Sequence, residues 1–144
     1  MGLSAIFTTD KTLAPLMLRM GTGLVLMPHG AQKLFGLFGG DGLQGTGEWM
    51  GSIGLHPGLL MAILAGSAEF FGGLALVLGL LTRPAAALTA ITMLMAIFAY
   101  HYGNGFFLDS DGWEYALILL MCSLSLLCSG AGRFSLDGRI QHTN

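Results

Sequence analysis

Four ionisable side chains lie in stretches of this sequence that are otherwise apolar. Arg19, His29 and Lys33 share one such stretch, and Glu69 lies at the centre of another. Ionisable groups inside a membrane span are costly and mark a functional site by default. Glu69 is the most informative of the four, because its short carboxylate cannot reach either edge of its stretch. It must therefore be paired, hydrogen-bonded or protonated.

The partner of Glu69 can be sought by helix geometry. A rotation of about 100° per residue places Arg19, His29 and Lys33 on one helix face. Glu69 lies at the depth of about residue 25 of that helix, so we expect Arg19 or His29 as its partner, with Lys33 or His101 next. A purely structural ion pair is the simpler interpretation. Snorkelling to the lipid headgroups is the alternative for Arg19 and Lys33.

Three further residues are predicted near the same membrane face as His29 and Lys33. His101 stands between two tyrosines, Glu114 follows a tryptophan, and Trp49 lies in a long connection. Each could be an aromatic or polar anchor at the membrane interface. Their convergence favours a cofactor-binding mouth.

These residue types suit two kinds of chemistry. His29 and His101 could ligate a haem, or a metal together with Glu114, as facing helices of a bundle do. However, neither histidine lies in a His-x-x-x-His or Glu-x-x-His spacing, so we predict no metal site. Carboxylate, imidazole and ammonium groups at graded depths favour proton exchange with a membrane quinone over haem binding.

The elements that position these groups follow from the composition. With 53% hydrophobic and 10% charged residues, the chain has too little polar surface for a compact soluble protein. Residues 1–144 are predicted to form a single integral membrane domain, an all-α four-helix bundle. Its spans are Leu13–Leu37, Leu59–Leu81, Pro84–Tyr102 and Trp113–Ser129, each long enough to cross a bilayer.

Charge and cysteine content exclude other classes. The net charge of −2 argues against a nucleic-acid partner. The two cysteines, Cys122 and Cys128, are six residues apart on one predicted helix and cannot form a disulfide there. Since no C-x-x-C pair is present, thiol chemistry would need a partner protein.

Basic residues predict the orientation. Lys11, Arg83, Arg133 and Arg139 all lie on one side if the spans alternate, and the other two connections contain no Lys or Arg. By the positive-inside rule both termini are cytoplasmic, and the connections Phe38–Gly58 and Gly103–Gly112 are periplasmic.

The first periplasmic connection is long and flexible. It holds nine glycines between Gly36 and Gly58. We expect it to lie on the membrane surface, with one short amphipathic turn near Glu48–Ile53. It is either a simple connector or a lid over a polar site.

The motifs form a recognisable set in this order. The set resembles the DoxX family over nearly the whole chain, through Arg19, His29-Gly30-x-x-Lys33-Leu34, Glu69-Phe70-Phe71-Gly72-Gly73, Gly79-Leu80-Leu81-Thr82-Arg83 and Gly130-x-Gly132-Arg133-Phe134-Ser135-Leu136-Asp137. The resemblance implies a small four-helix protein of the bacterial inner membrane, of a family implicated in membrane oxidoreductase complexes and redox stress.

The sequence thus favours a membrane subunit of a quinone-linked oxidoreductase system. Glu69, His29, Arg19 and Lys33 would handle quinone and protons, with His101, Glu114 and Trp49 binding the cofactor, and a separate redox protein as partner. The alternatives are a small-solute transporter or binding protein, and a structural accessory subunit. A homo-oligomer is also compatible with the sequence.

The predicted orientation can be tested by cysteine labelling in a variant that lacks Cys122 and Cys128. Cysteines introduced at Gly45 and Ser110 should react with a membrane-impermeant thiol reagent in intact cells, whereas one at Thr143 should not. The reversed pattern would place the proposed site at the cytoplasmic face.

Overall fold

The computed structural model describes Thr9 and residues 12–141, and this part of the chain is helical with no strand. The predicted all-α class is confirmed. Lys11 and Thr143, used in the topology argument and its test, lie outside the described residues. The α-helices of the described part are α1 (Leu13–Phe35), α2 (Gly42–Ser52), α3 (Gly58–Leu78), α4 (Thr82–Ala96), α5 (Glu114–Ser129) and α6 (Leu136–Gln141).

The four predicted spans correspond to α1, α3, α4 and α5. Beyond Ala96, α4 continues through a π-helical turn, Ile97–His101, and a short 3₁₀ turn, Tyr102–Asn104. Gly58–Leu78 and Thr82–Asn104 are long and apolar enough to cross a membrane, and α5 is apolar but shorter. That four helices cross the bilayer stays a prediction.

These four helices pack side by side. α1 contacts α3 and α5, and α4 contacts the same two helices. α1 and α3 approach closely where glycines face each other: a Cβ atom at Gly30 would lie 2.7 Å from the carbonyl oxygen of Gly66, and one at Gly23 would lie 2.5 Å from that of Gly73. Small residues are what allow two apolar helices such close backbone contact.

The two ends of the helix assembly differ. We call the end that carries α2 the α2 end, and the opposite end, where α6 follows α5, the α6 end. One apolar core, with Leu26, Met93 and Leu119, lies towards the α2 end, and a second, with Leu76 and Leu126, lies towards the α6 end.

Arg19 ties the α6 end together. Its guanidinium is buried and donates to carbonyl oxygens on two other parts of the chain. It bonds the end of α3 and the segment that follows α5, through the carbonyls of Leu76, Val77, Ala131, Arg133 and Phe134. Because a guanidinium has five N–H donors and no acceptor, this set of carbonyls can satisfy the whole group.

Asp137 secures the same end from α6. Its Oδ1 accepts from the backbone N–H of Leu81 at 2.7 Å, and its Oδ2 accepts from that of Thr82 at 2.8 Å. A carboxylate there satisfies the unpaired donors at the start of α4 and interacts favourably with the helix dipole. The sharp turn between α3 and α4 is therefore held by the C-terminal segment.

The first long connection is more ordered than predicted. The expectation of one short turn near Glu48–Ile53 is wrong, because α2 runs over Gly42–Ser52. Glycine disfavours helix, but α2 packs so closely on the start of α3 that a Cβ atom at Gly47 would lie 3.0 Å from the Cα of Leu59. Tertiary contact here outweighs the low helix propensity.

Candidate functional site

A cavity of about 440 Å³ lies between the helices towards the α2 end. α1 to α5 and the π-helical turn all contribute to its wall. Five of the residues that the sequence singled out line it together: His29, Lys33, Trp49, Glu69 and His101. The other two, Arg19 and Glu114, do not.

An ion pair lies at the cavity wall. The Nζ of Lys33 is 2.6 Å from the Oε2 of Glu69. The side chain of Glu69 is only 6% exposed, whereas that of Lys33 is 24% exposed. Among the described residues no hydrogen bond reaches the Oε1 of Glu69, and Lys33 has two more N–H donors to give. The pair therefore retains bonding capacity towards the cavity.

The expectation that Arg19 or His29 pairs with Glu69 is wrong. Side chains of an α-helix point back towards its N-terminus. Lys33 lies near the C-terminal end of α1, so its side chain reaches back towards the middle of α3. The side chain of Arg19 points towards the α6 end. The carbonyls that bind Arg19 hold it there.

Close helix contact brings the ion pair together. Lys33 follows Gly30 by one helical turn, and Glu69 follows Gly66 by the same spacing. A Cβ atom at Gly66 would lie 3.2 Å from the Cβ of Lys33. A larger residue at either glycine would separate α1 from α3, and with them the ammonium and the carboxylate.

His29 lies on the same face of α1 as Lys33. Its ring centroid is 6.3 Å from that of Tyr115 on α5, with the rings tilted by 55°. Both residues line the cavity. Tyr115 was not predicted, because a single tyrosine at the start of a span reads as an interface anchor.

α2 covers the cavity at the α2 end of the helix assembly. Trp49 and Met50 of α2 line the wall, and the ring of Trp49 meets that of Tyr100 edge to face with centroids 5.0 Å apart. Of the two interpretations of the long connection, the position of α2 favours the lid.

His101 contacts both Tyr100 and the loop that precedes α5. Its ring stacks edge to face on Tyr100 at 4.9 Å, and its Nδ1 lies 2.6 Å from the carbonyl oxygen of Asp111. Because a carbonyl can only accept, Nδ1 carries a proton. In the neutral imidazole Nε2 is then an acceptor.

Glu114 has a local bonding role. Its Oε1 accepts from the backbone N–H of Leu108 at 2.6 Å, within the loop that precedes α5. The carboxylate thus satisfies a loop donor. Because Glu114 does not line the cavity, the structure does not support the prediction that it takes part in a cofactor-binding mouth.

The rest of the wall is mostly apolar and rich in methionine. Sulfur side chains are polarizable and adapt to flat aromatic surfaces. The sequence offered only one signal for this feature, a total of nine methionines. Four of them line the cavity: Met50, Met61, Met93 and Met95.

The donor set for metal binding is sparse. Within Thr9 and residues 12–141, no three His, Cys, Asp or Glu side chains come together as a metal site would require. The polar groups of the cavity are instead an ammonium, a carboxylate, two imidazoles, hydroxyls and an indole.

Comparison with known proteins identifies relatives in bacterial membranes. The family model described as DoxX matches residues 14–102. The chain is 31% identical to "Putative oxidoreductase CatD" of Bacillus subtilis (strain 168), over 87% of this chain and 85% of that protein. It is 32% identical to "Inner membrane protein YqjF" of Escherichia coli (strain K12), over 67% of this chain and 72% of that protein.

A third relative is "Uncharacterized membrane protein Rv3486" of Mycobacterium tuberculosis, 35% identical over 85% of this chain and 78% of that protein. No solved structure matches the chain.

The energetic coupling of Lys33 and Glu69 can be measured by a double-mutant cycle. Lys33→Met leaves a buried carboxylate without its partner and should lower the free energy of unfolding by about 3 kcal/mol. Glu69→Leu should cost less, because Lys33 can turn its ammonium towards solvent. The double variant should return to within about 1 kcal/mol of the parent.

Unfolding in detergent micelles, followed by circular dichroism, gives these values. Glu48→Ala is the matched control, since Glu48 accepts from Gln44 on the exposed face of α2 and should change stability by less than about 0.5 kcal/mol. Additive losses in the double variant would contradict the pairing.

Proposed function

The chain belongs to the DoxX family of membrane proteins, and on that premise we propose that it is an inner-membrane subunit of an oxidoreductase system whose cavity binds the head group of a membrane quinone. The observation that carries the proposal is the Lys33–Glu69 pair, which sets hydrogen-bonding charge in the wall of a mostly apolar cavity. A quinone head has carbonyl oxygens that accept hydrogen bonds and a flat ring that favours an apolar cavity, so it needs polar and apolar groups together.

The cavity wall matches the parts of a quinone head. The carbonyl oxygens of a quinone accept hydrogen bonds, and Lys33 has N–H donors beyond the one given to Glu69. A flat conjugated ring fits between the methionines and the aromatic ring of Trp49. Ligand sites of this kind are apolar with a few placed polar groups.

The proposed reduction of the quinone requires a partner protein that supplies the electrons. Reduction of a quinone to a quinol takes up two electrons and two protons. The electrons come from a separate redox protein, because this chain has no C-x-x-C pair of its own. Lys33 and Glu69 exchange protons with the head group, and His101, which lines the same cavity, lies beside the loop that contains Asp111. The name of the Bacillus subtilis relative, which includes oxidoreductase, agrees with such a system.

The proposal includes an orientation. α1, α3, α4 and α5 cross the inner membrane, both termini are cytoplasmic, and the α2 end faces the periplasm. α2 then lies at the outer surface, where Trp49 occupies the depth that tryptophan prefers. The cavity opens to the outer leaflet.

Transport of a small polar solute is a weaker candidate. Most of the cavity wall offers no hydrogen bond to the polar groups of such a solute, and burying those groups against methionine and other apolar side chains would cost free energy. Nothing in the geometry specifically favours it.

The two tryptophans provide a direct test of quinone binding. Trp49 lines the cavity, whereas Trp113 does not; its ring packs on that of Phe106, with centroids 4.8 Å apart. In a Trp113→Phe variant, the soluble head 2,3-dimethoxy-5-methyl-1,4-benzoquinone should quench the fluorescence of Trp49 in a saturable manner. Lys33→Met in this background should weaken binding roughly tenfold, the value of one charge-assisted hydrogen bond.

The matched control is Trp49→Phe, which leaves Trp113 as the reporter. Its fluorescence should be quenched less than that of Trp49 at saturating quinone, because Trp113 does not line the cavity. Equal, unsaturable quenching of both variants would overturn the proposed function.

A further inference from the structure

The cavity opens sideways between α3 and α4. Six residues that line the cavity are also exposed: His29, Trp49 and four apolar residues of α3 and α4. A residue with this much exposed surface lies where the cavity is open rather than enclosed. These four residues define what we call the side portal: Leu64 of α3, 56% exposed, and Leu88, Ile91 and Met95 of α4, 53%, 58% and 49% exposed.

α3 and α4 are held close together at the α6 end. At the α6 end they are joined by a short turn that Asp137 holds, and Gly72 packs against Thr89, where a Cβ atom would lie 3.1 Å from the threonine Cγ2. Towards the α2 end, α3 presents Ala65 and Ala68 to the cavity. These small side chains leave the space between the helices unfilled.

The rim of the portal is entirely apolar. In a membrane protein, an exposed apolar rim of this kind contacts lipid chains, which supply no hydrogen bonds and favour apolar side chains. Inside the cavity, Glu69 lies five residues from Leu64 on α3, or about 7.5 Å along the helix. The opening thus connects a charged binding point with the hydrocarbon of the bilayer over a short distance.

We infer that the side portal admits the hydrocarbon tail of the cavity's ligand, so that the ligand is a lipid with a quinone head and a long hydrocarbon tail. This inference rests on the proposed function and narrows it to tailed membrane quinones. The head lies at Lys33 and Glu69, and the tail leaves between Leu64 and Ile91 into the bilayer. The ligand enters from the membrane without passing the α2 lid.

A paired substitution tests the portal. In the variant Leu64→Trp/Ile91→Trp, two bulky rings fill the rim from both sides. The matched control is Leu60→Trp/Leu94→Trp, on the same two helices. Leu60 and Leu94 are 46% and 41% exposed, and neither lines the cavity. Unfolding temperatures of both variants establish that they are folded.

Two probes separate the tail from the head. Each protein in nanodiscs is loaded with a ubiquinone that carries a full isoprenoid tail, and the quinone retained after exchange into quinone-free lipid is extracted and quantified by chromatography. The tail-less head, 2,3-dimethoxy-5-methyl-1,4-benzoquinone, is titrated by calorimetry. The portal variant should retain at least fivefold less tailed quinone and bind the tail-less head within twofold of the parent. The control should match the parent with both probes.

The outcomes distinguish the two claims. A portal variant that retains tailed quinone like the parent, or that loses both probes equally, overturns the side portal while quinone binding stands. A parent protein that binds neither probe overturns the proposed function itself. Should the portal variant not fold, Ile91→Trp alone against Leu94→Trp gives the same comparison.

Discussion

The ion pair between Lys33 and Glu69 is the interaction on which the α2 end of this protein depends. A carboxylate in the middle of an apolar helix must be compensated, and here the compensation comes from another helix. The ammonium reaches it because Gly30 and Gly66 let α1 and α3 approach, and because lysine side chains point back along their helix. The pair thereby fixes the position of α1 along α3. It also places an ammonium and a carboxylate in the wall of the cavity.

The two ends of the molecule use their buried charges in different ways. At the α6 end, the buried charges bond to backbone groups of other segments. Arg19 binds carbonyls of the segment that follows α5, and Asp137 binds N–H groups of the turn between α3 and α4. At the α2 end, one oxygen of the Glu69 carboxylate bonds Lys33, and within the described residues no hydrogen bond reaches the other. The cavity with the Lys33–Glu69 pair in its wall lies at the α2 end, where the small side chains of α3 leave space beside α4.

Sequence reasoning predicted the helices and the burial of Glu69 well, because both follow from length, composition and the cost of an isolated charge. The partner of Glu69 could not be found from depth alone. Depth favours Arg19, but the direction of its side chain and five backbone carbonyls far away in sequence decide against it. α2 was missed because nine glycines argue for a loop, whereas close packing of those glycines on α3 makes the helix. Glu114 was misplaced because a loop donor six residues earlier captures it.

The central claim is that the Lys33–Glu69 pair exchanges protons with a quinone head in the cavity. Infrared difference spectroscopy of the reconstituted protein, recorded as added quinone is reduced electrochemically to quinol, observes that exchange directly. We expect a change in the carboxyl and carboxylate bands that accompanies quinone reduction and disappears in Glu69→Gln, while the quinone bands themselves remain. A carboxyl signal that persists in Glu69→Gln, or a spectrum with no carboxyl change in the parent protein, would contradict the claim.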